Sequence, residues 1–296
     1  MDSLHSPPLV RLEEAEWSVR RSAHEARVDA WVQPHLARRR AHVPHPVEDF
    51  LFTYYSQRPA ALRRWHPGYG VALVDGEPWV GLKGYDVEAG LVRVGAEHLA
   101  AQRPVLESLH TLLGATASRA PQLGCFGMHE WAMVYRQPAE EVRHDAWPLR
   151  LGGAGTDRVV ESHRIACSHF DAFRFFTGPA RPRNTLQPRS DDRPAFEQPG
   201  CLHAGMDLYK HAYRLTPLIS SDLVGDCFEL ARDIRVLDMR ASPYDLSDLG
   251  HQPLRVETPV GKQEYVAAQL AFAERGAPLR QRLIEECARL LGASGA

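Results

Sequence analysis

Tyr69-Gly-Val-Ala-Leu-Val74, then Asp75-Gly76, Trp79-Val-Gly-Leu82, Tyr85-Asp-Val87 and Leu91-Val-Arg-Val94, form the one stretch of this chain that reads convincingly as β structure. Short apolar runs alternate there with turn residues, as in short strands joined by tight turns. The pattern predicts a small antiparallel sheet or a pair of hairpins over residues 69–95. On either side the apolar residues recur at helical intervals. Helices are expected over residues 12–42 with a break near Pro34, over 46–55, over 97–117, and at 202–215, 220–240 and 263–291. Two more strands can be read at Pro148–Leu151 and Val159–Ile165, around the Gly152-Gly-Ala-Gly155 run. The proline-rich residues 178–200 read as a long extended loop, a lid or a binding loop. The fold class is therefore α+β, mainly α-helical, with a small antiparallel sheet or hairpins in the first half. It lacks the strand–helix alternation of a doubly wound fold. One catalytic domain over residues 1–296 is expected, made of N-terminal helices (10–65), the β region (69–95) and a helical C-terminal part (200–291).

Composition narrows the function classes. The chain has 296 residues, 44% hydrophobic and 24% charged, enough apolar sequence for a substantial core. No run approaches the roughly 18 consecutive apolar residues of a membrane span, so no membrane partner is expected. Residues 1–8 are expected to be loosely held, and they lack the basic and apolar regions of a signal peptide. A cytoplasmic location follows as an expectation. Five cysteines are an odd number and are widely spaced, which is not a disulfide framework. A net charge of −2 supplies no global attraction to nucleic acid, so any such contact needs local basic patches.

Three segments carry candidate chemistry. Cys201-Leu-His-Ala-Gly-Met-Asp-Leu-Tyr-Lys-His211 places His203, Asp207, Lys210 and His211 on one third of a helix, beside an apolar stripe that includes Tyr209. Such a face is either exposed polar surface or a carboxylate flanked by cations that holds water or an anion. Ser168-His-Phe-Asp-Ala-Phe-Arg-Phe-Phe176 sets His169, Asp171 and Arg174 among four phenylalanines. The phenylalanines suit a core, or a wall such as Phe173 for a flat heteroaromatic ligand; Asp171 and Arg174 can simply pair. Met128-His-Glu-Trp131 embeds His129 and Glu130 in apolar sequence, where Glu130 is either structural or a general acid/base with a raised pKa. A cysteine precedes each histidine: Cys125 before His129, Cys167 before His169, Cys201 before His203. Thiolate and imidazole are zinc ligands, but these spacings match no standard zinc module. The expectation is no metal, with Zn or non-haem Fe on His129, His169 and His203 as the alternative. In residues 220–240, Asp222, Asp226, Glu229 and Asp233 read as a solvated stripe, with Arg232, Arg235 and Arg240 nearby. The Gly152–Gly155 run lacks the residues of a nucleotide-binding loop.

The phrases His45-Pro-Val-Glu-Asp-Phe-Leu-Phe-Thr-Tyr-Tyr55, Leu62-Arg-Arg-Trp-His-Pro-Gly68, Gly127-Met-His-Glu-Trp-Ala-Met-Val-Tyr135, Ser168–Thr177 and Gly200–Tyr213 resemble an actinobacterial family labelled 3-methyladenine DNA glycosylase. The resemblance runs from about residue 10 to 290. It implies hydrolysis of an N-glycosidic bond that releases an alkylated purine from DNA. That reaction needs a carboxylate, an aromatic pocket for an extruded base, and cations for phosphates. Asp171, Asp207 and Glu130, with His169 and His203, are the catalytic candidates. His129, Trp131, Phe173, Arg174, Tyr209 and Lys210 are the substrate-binding candidates, and Arg38–Arg40, Arg63, Arg64 and Arg181-Pro-Arg183 are the phosphate candidates. The competing expectation is a metal-dependent or metal-free enzyme acting on a small nucleoside-like or other heteroaromatic molecule.

Overall fold

Trp79 shows how the β region is held. Its indole packs edge-on against Trp17 at 5.0 Å and against Trp65 at 5.8 Å, and its Nε1 donates to the Trp65 carbonyl. Trp17 in turn donates to the Val74 carbonyl. The structure, a computed structural model, describes residues 9–138 and 146–294. The N-terminal eight residues, expected to be loosely held, lie outside that range. The described strands are β1 (Val10–Leu12), β2 (Val71–Val74), β3 (Tyr85–Glu88) and β4 (Leu91–Val94), in the order β1-β2-β4-β3. β2, β4 and β3 are antiparallel neighbours, as the turn residues predict, whereas β1 pairs parallel with β2 and makes the sheet mixed. Three residues carry no detectable period, so β1 has no local signature. Trp79–Leu82, expected as a strand, is instead a tight turn entered through Gly76 and Pro78, which frees the indole to point inward.

The helices are α1 (Glu14–Ala41), α2 (Phe50–Tyr54), α3 (Pro59–Arg63), α4 (Ala96–Ala101), α5 (Arg103–Ala117), α6 (Met128–Ala132), α7 (Gly152–Ser162), α8 (Phe170–Phe173), α9 (Arg193–Phe196), α10 (Leu202–Arg214), α11 (Ser221–Arg240) and α12 (Pro259–Ala293). The fold is mainly α-helical α+β. The three C-terminal helices match their apolar periodicity. α1 runs unbroken through Pro34, because Val28, Val32 and His35 are buried on both sides of it and offset the roughly 3 kcal/mol cost of an interior proline. The strand expected at Val159–Ile165 is helix α7 for most of its length. Gly155, Thr156, Val159 and Val160 are its buried residues, a helical spacing that the glycine run obscured. Only isolated bridges remain there, Leu149 to Tyr244 and Ile165 to Asn184. Among the described residues no helix is long and apolar enough to cross a membrane.

The chain forms two compact units from non-contiguous segments. Unit 1 comprises residues 1–113, 208–229 and 279–296; unit 2 comprises 114–207 and 230–278. Unit 1 contains the sheet and an aromatic core in which Tyr209 meets Tyr55, Tyr213 and Phe228. It also buries His66, whose Nδ1 shares a 2.8 Å hydrogen bond with the Tyr85 hydroxyl. Burial, helped by the Arg64 charge, pushes His66 down to about 3.

The native state therefore refuses a proton that the unfolded chain accepts below pH 6.5. Stability contributed by neutral His66 is complete above that pH and falls as pH drops toward 3. Between pH 6.5 and 5 the loss is about 2 kcal/mol, from 1.36 kcal/mol per pH unit. Urea unfolding of wild type and His66→Asn at pH 7 and pH 5 checks this. The variant is expected to lose about 2 kcal/mol less on acidification, and equal losses would show that His66 is protonated in the fold.

Candidate functional site

Phe126 and Gly127 both take left-handed backbone conformations, φ 46° and 68°, and turn the chain into α6. A Cβ on Gly127 would also crowd Ala241 and Tyr265, at 3.4 and 3.5 Å. All five α6 residues are buried. Trp131 is core: its Nε1 donates to the Ala241 carbonyl, and Arg150 stacks over its ring at 5.4 Å. His129 Nε2 donates to Asp238 Oδ1 at 2.9 Å. Asp238 Oδ2 accepts from Arg235 Nη1 at 3.0 Å, and the same nitrogen donates to Glu130 Oε1 at 3.2 Å. Asp238 is 0% and Arg235 1% exposed.

His203 is in the first turn of α10. Gly205 lets this part of α10 lie against α11, since a Cβ there would sit 2.8 Å from Ile234 Cδ1. The His203 ring meets His129 edge-on at 4.4 Å and His169 at 5.4 Å. One donor atom from each of His129, His203 and Asp238 falls within 4.8 Å of the others, the one such group of metal-ligating side chains among the described residues. Behind His203 is a second buried cluster. Arg193 donates through Nε to Glu197 Oε1 (2.6 Å) and through Nη2 to Asp207 Oδ2 (2.9 Å). His169 Nε2 lies 3.3 Å from Asp207 and 3.5 Å from Glu197.

The titration of these groups follows their surroundings. Burial disfavours charge on His129, but Asp238, by charge and hydrogen bond, and the Cys125 sulfur hold its proton well above the usual imidazole range. Burial, then the His129 charge, drives His203 well below that range. Burial raises Asp238, yet His129, His203 and Arg235 outweigh it and keep the carboxylate low. Burial lifts the Cys167 thiol to about 11 and Cys201 well above its ordinary value. Both thiols are therefore protonated at neutral pH and are poor nucleophiles as they stand.

A cavity of about 410 Å³ opens beside these residues in unit 2. His129, His203, Cys125, Cys167, Cys201, Phe126, His163, Arg164, Gln198 and Lys262 are among the residues that line it, and among the described residues no carboxylate side chain does. Lys262 lies over the Phe126 ring at 5.5 Å, and neither it nor Arg164 pairs with a carboxylate among the described residues. The three cysteines that precede the three histidines thus meet at one cavity.

Several expected roles do not fit this geometry. Asp171 pairs with Arg174 at 3.5 Å, Arg174 stacks over Phe175 at 4.3 Å, and Phe173 packs on Phe176 at 5.2 Å; none of these lines the cavity. Tyr209 is fully buried in the core of unit 1, and half-buried Lys210 follows it in that unit. Glu130 and Asp207 are held by arginines, outside the cavity lining. Of the alternative metal ligands, His169 faces Glu197 and Asp207, and Asp238 takes its place in the close group. Arg38 is held by Asp49, Arg63 by Asp29, Arg181 donates to the Arg174 carbonyl and Arg183 to the Tyr135 hydroxyl, so four of the expected phosphate contacts have partners within the protein. The 178–200 loop is pinned: Asn184 Oδ1 accepts from the Cys167 amide and its Nδ2 donates to the Cys167 carbonyl, while Gln198 contributes to the cavity lining. The segment is not extended throughout, since Arg181–Arg183 and Arg193–Phe196 are short helical turns.

Sequence reading missed Asp238, Arg235, Glu197 and Arg193. For Asp238 a signal existed. It lies about 120–180° round α11 from Asp222, Asp226, Glu229 and Asp233 at 100° per residue, on the apolar side and three residues after Arg235. The stripe is paired not by the neighbouring Arg232, Arg235 or Arg240 but by distant arginines, with Asp226 and Glu229 held by Arg27 and Asp233 by Arg275. No family model matches the chain, and no curated protein or solved structure matches it.

Arg235 is the hinge of the first cluster. Replacing it with Met strands two carboxylates in the interior, and a broken buried pair costs about 3–5 kcal/mol. Urea unfolding of Arg235→Met is expected to show a loss of that size, with a smaller loss for Glu130→Gln, which keeps the hydrogen-bonding shape. A loss below about 1 kcal/mol for Arg235→Met would mean that water reaches the cluster.

Proposed function

We propose that the protein is a hydrolase acting on a small anionic, ring-containing molecule, and that the unit 2 cavity is its active site. The observation that carries this reading is the composition of the cavity lining: Arg164, Lys262 and three histidines, with no carboxylate. Such a surface favours negative charge, and its volume falls in the range of about 300–1,000 Å³ typical of small-ligand sites. Phe126 supplies a ring face, while Arg164 and Lys262, which pair with no carboxylate among the described residues, supply cations for a phosphate or carboxylate. In the reaction, the water oxygen forms the new bond to substrate and the leaving group takes the water's proton. His129 and His203 are the groups best placed to act on that water.

A second reading keeps the N-glycosidic bond of an alkylated purine in DNA as the target. It is favoured by the cavity volume, which admits an extruded purine. Against it stand the arginine-held carboxylates and the absence of an aromatic cage, since the Phe170–Phe176 cluster lies away from the cavity lining. Titration calorimetry with adenosine monophosphate, adenosine and an abasic-analogue oligonucleotide separates the two. The small-molecule reading expects the nucleotide to bind and the nucleoside to bind about tenfold or more weakly. The double variant Arg164→Ala/Lys262→Ala should bring the two ligands together. Equal affinities in wild type, or release of 3-methyladenine from methylated DNA by wild type, would overturn it in favour of an uncharged ligand or of DNA.

A further inference from the structure

We infer that His129, His203 and Asp238 form a catalytic site for one borderline divalent ion, zinc or ferrous iron. The inference deepens the reading of the cavity as a hydrolytic site, and its test does not depend on knowing the substrate. The geometry comes first. Donors in a tetrahedral shell of radius about 2.1 Å lie about 3.4 Å apart. His129 Nε2 and Asp238 Oδ1 are 2.9 Å apart, and one donor atom from each of the three residues falls within 4.8 Å of the others, close to the spacing that such a shell needs. Two imidazoles and a carboxylate select zinc or iron over calcium or magnesium, which prefer all-oxygen shells.

The supporting residues point the same way. Asp238 offers Oδ1 to His129 and the shared centre, while Oδ2 is fixed by Arg235, itself held by Glu130. That is the usual arrangement of a metal carboxylate: one oxygen for the ion and one for an orienting donor. His203 has no hydrogen-bond partner among the described residues. Its ring lines the cavity, where an imidazole held by no hydrogen bond within the protein is available as a ligand. Finally, His129 and His203 line the cavity, so the ion would face it with only three protein ligands. Three ligands leave a position for water, which distinguishes a catalytic site from a closed structural one. The ion would lower the pKa of that water and supply the hydrolytic nucleophile.

The test uses the full chain, stripped with a chelator and reconstituted with Zn²⁺, Fe²⁺ or Co²⁺ separately. Elemental analysis after dialysis is expected to give about one equivalent per chain. The Co²⁺ form should show visible d–d absorption without the near-ultraviolet bands of a thiolate ligand. His203→Gln and Asp238→Asn should each weaken Co²⁺ binding by at least about tenfold, whereas Lys262→Ala, which also lines the cavity, should bind it as wild type does. Circular dichroism and thermal unfolding identify any variant that fails to fold, and His203→Gln is the one expected to fold, since no hydrogen bond is lost. Less than about 0.1 equivalent in wild type would overturn the site. So would unchanged affinity in folded His203→Gln, or thiolate-to-cobalt absorption, which would move the ion to Cys125, Cys167 or Cys201. Nucleotide binding by the metal-free protein reads the anion site separately, so either proposal can fail while the other stands.

Discussion

Arg235 holds Glu130 and Asp238 together in the interior of unit 2, and the site depends on that one guanidinium. Glu130 is on α6 and Asp238 is on α11, one turn after Arg235 itself. Neither carboxylate would tolerate burial unpaired, since stripping a carboxylate of water costs several kcal/mol even after the surroundings relax. With the pair satisfied, Asp238 presents its other oxygen to His129, and His129 is fixed in register with His203. A long aliphatic residue in place of Arg235 would fill the same space and remove the reason for the carboxylates to be there.

The Arg193 cluster repeats this arrangement. One arginine again serves two buried carboxylates, Glu197 and Asp207, and a histidine, His169, again faces them. The clusters meet through the His203 ring, which contacts both His129 and His169. The difference between them is access. His129 lines the cavity, while His169 is 0% exposed and does not. Only the first cluster is open to a ligand, and the second lies against α10 where His203 begins.

The polarity of the cavity follows from the same economy. Glu130, Asp238, Glu197 and Asp207 are buried and bound to arginines, while Arg164, Lys262 and the histidines line the opening. The resulting surface attracts anions although the whole chain carries a net charge of −2. Total charge describes solubility and long-range attraction, whereas a ligand meets only the side chains that line its own cavity.

Much was legible from sequence alone because it depends on local period and local turn chemistry. The helical class, a small antiparallel β region within residues 69–95 and the three C-terminal helices follow from apolar spacing and Gly-containing turns; the β2-β4-β3 order does not. The Cys–His pattern singled out Cys125, Cys167, Cys201, His129 and His203, all of which line one cavity. Where two periods overlapped, as at Val159–Ile165, or where a strand was three residues long, as at Val10–Leu12, local pattern was insufficient. Only the tertiary structure decided which polar residues work together. Asp238 is 109 residues from His129 and 35 from His203 in the chain, so no spacing rule connects them. Asp171, Asp207 and Glu130 looked equivalent as carboxylates beside histidines; the Arg174 that pairs with Asp171 was visible at i,i+3, but the arginines that hold Asp207 and Glu130 are 14 and 105 residues away. Burial and pairing determine whether a carboxylate is available for chemistry, and both are properties of the packed interior.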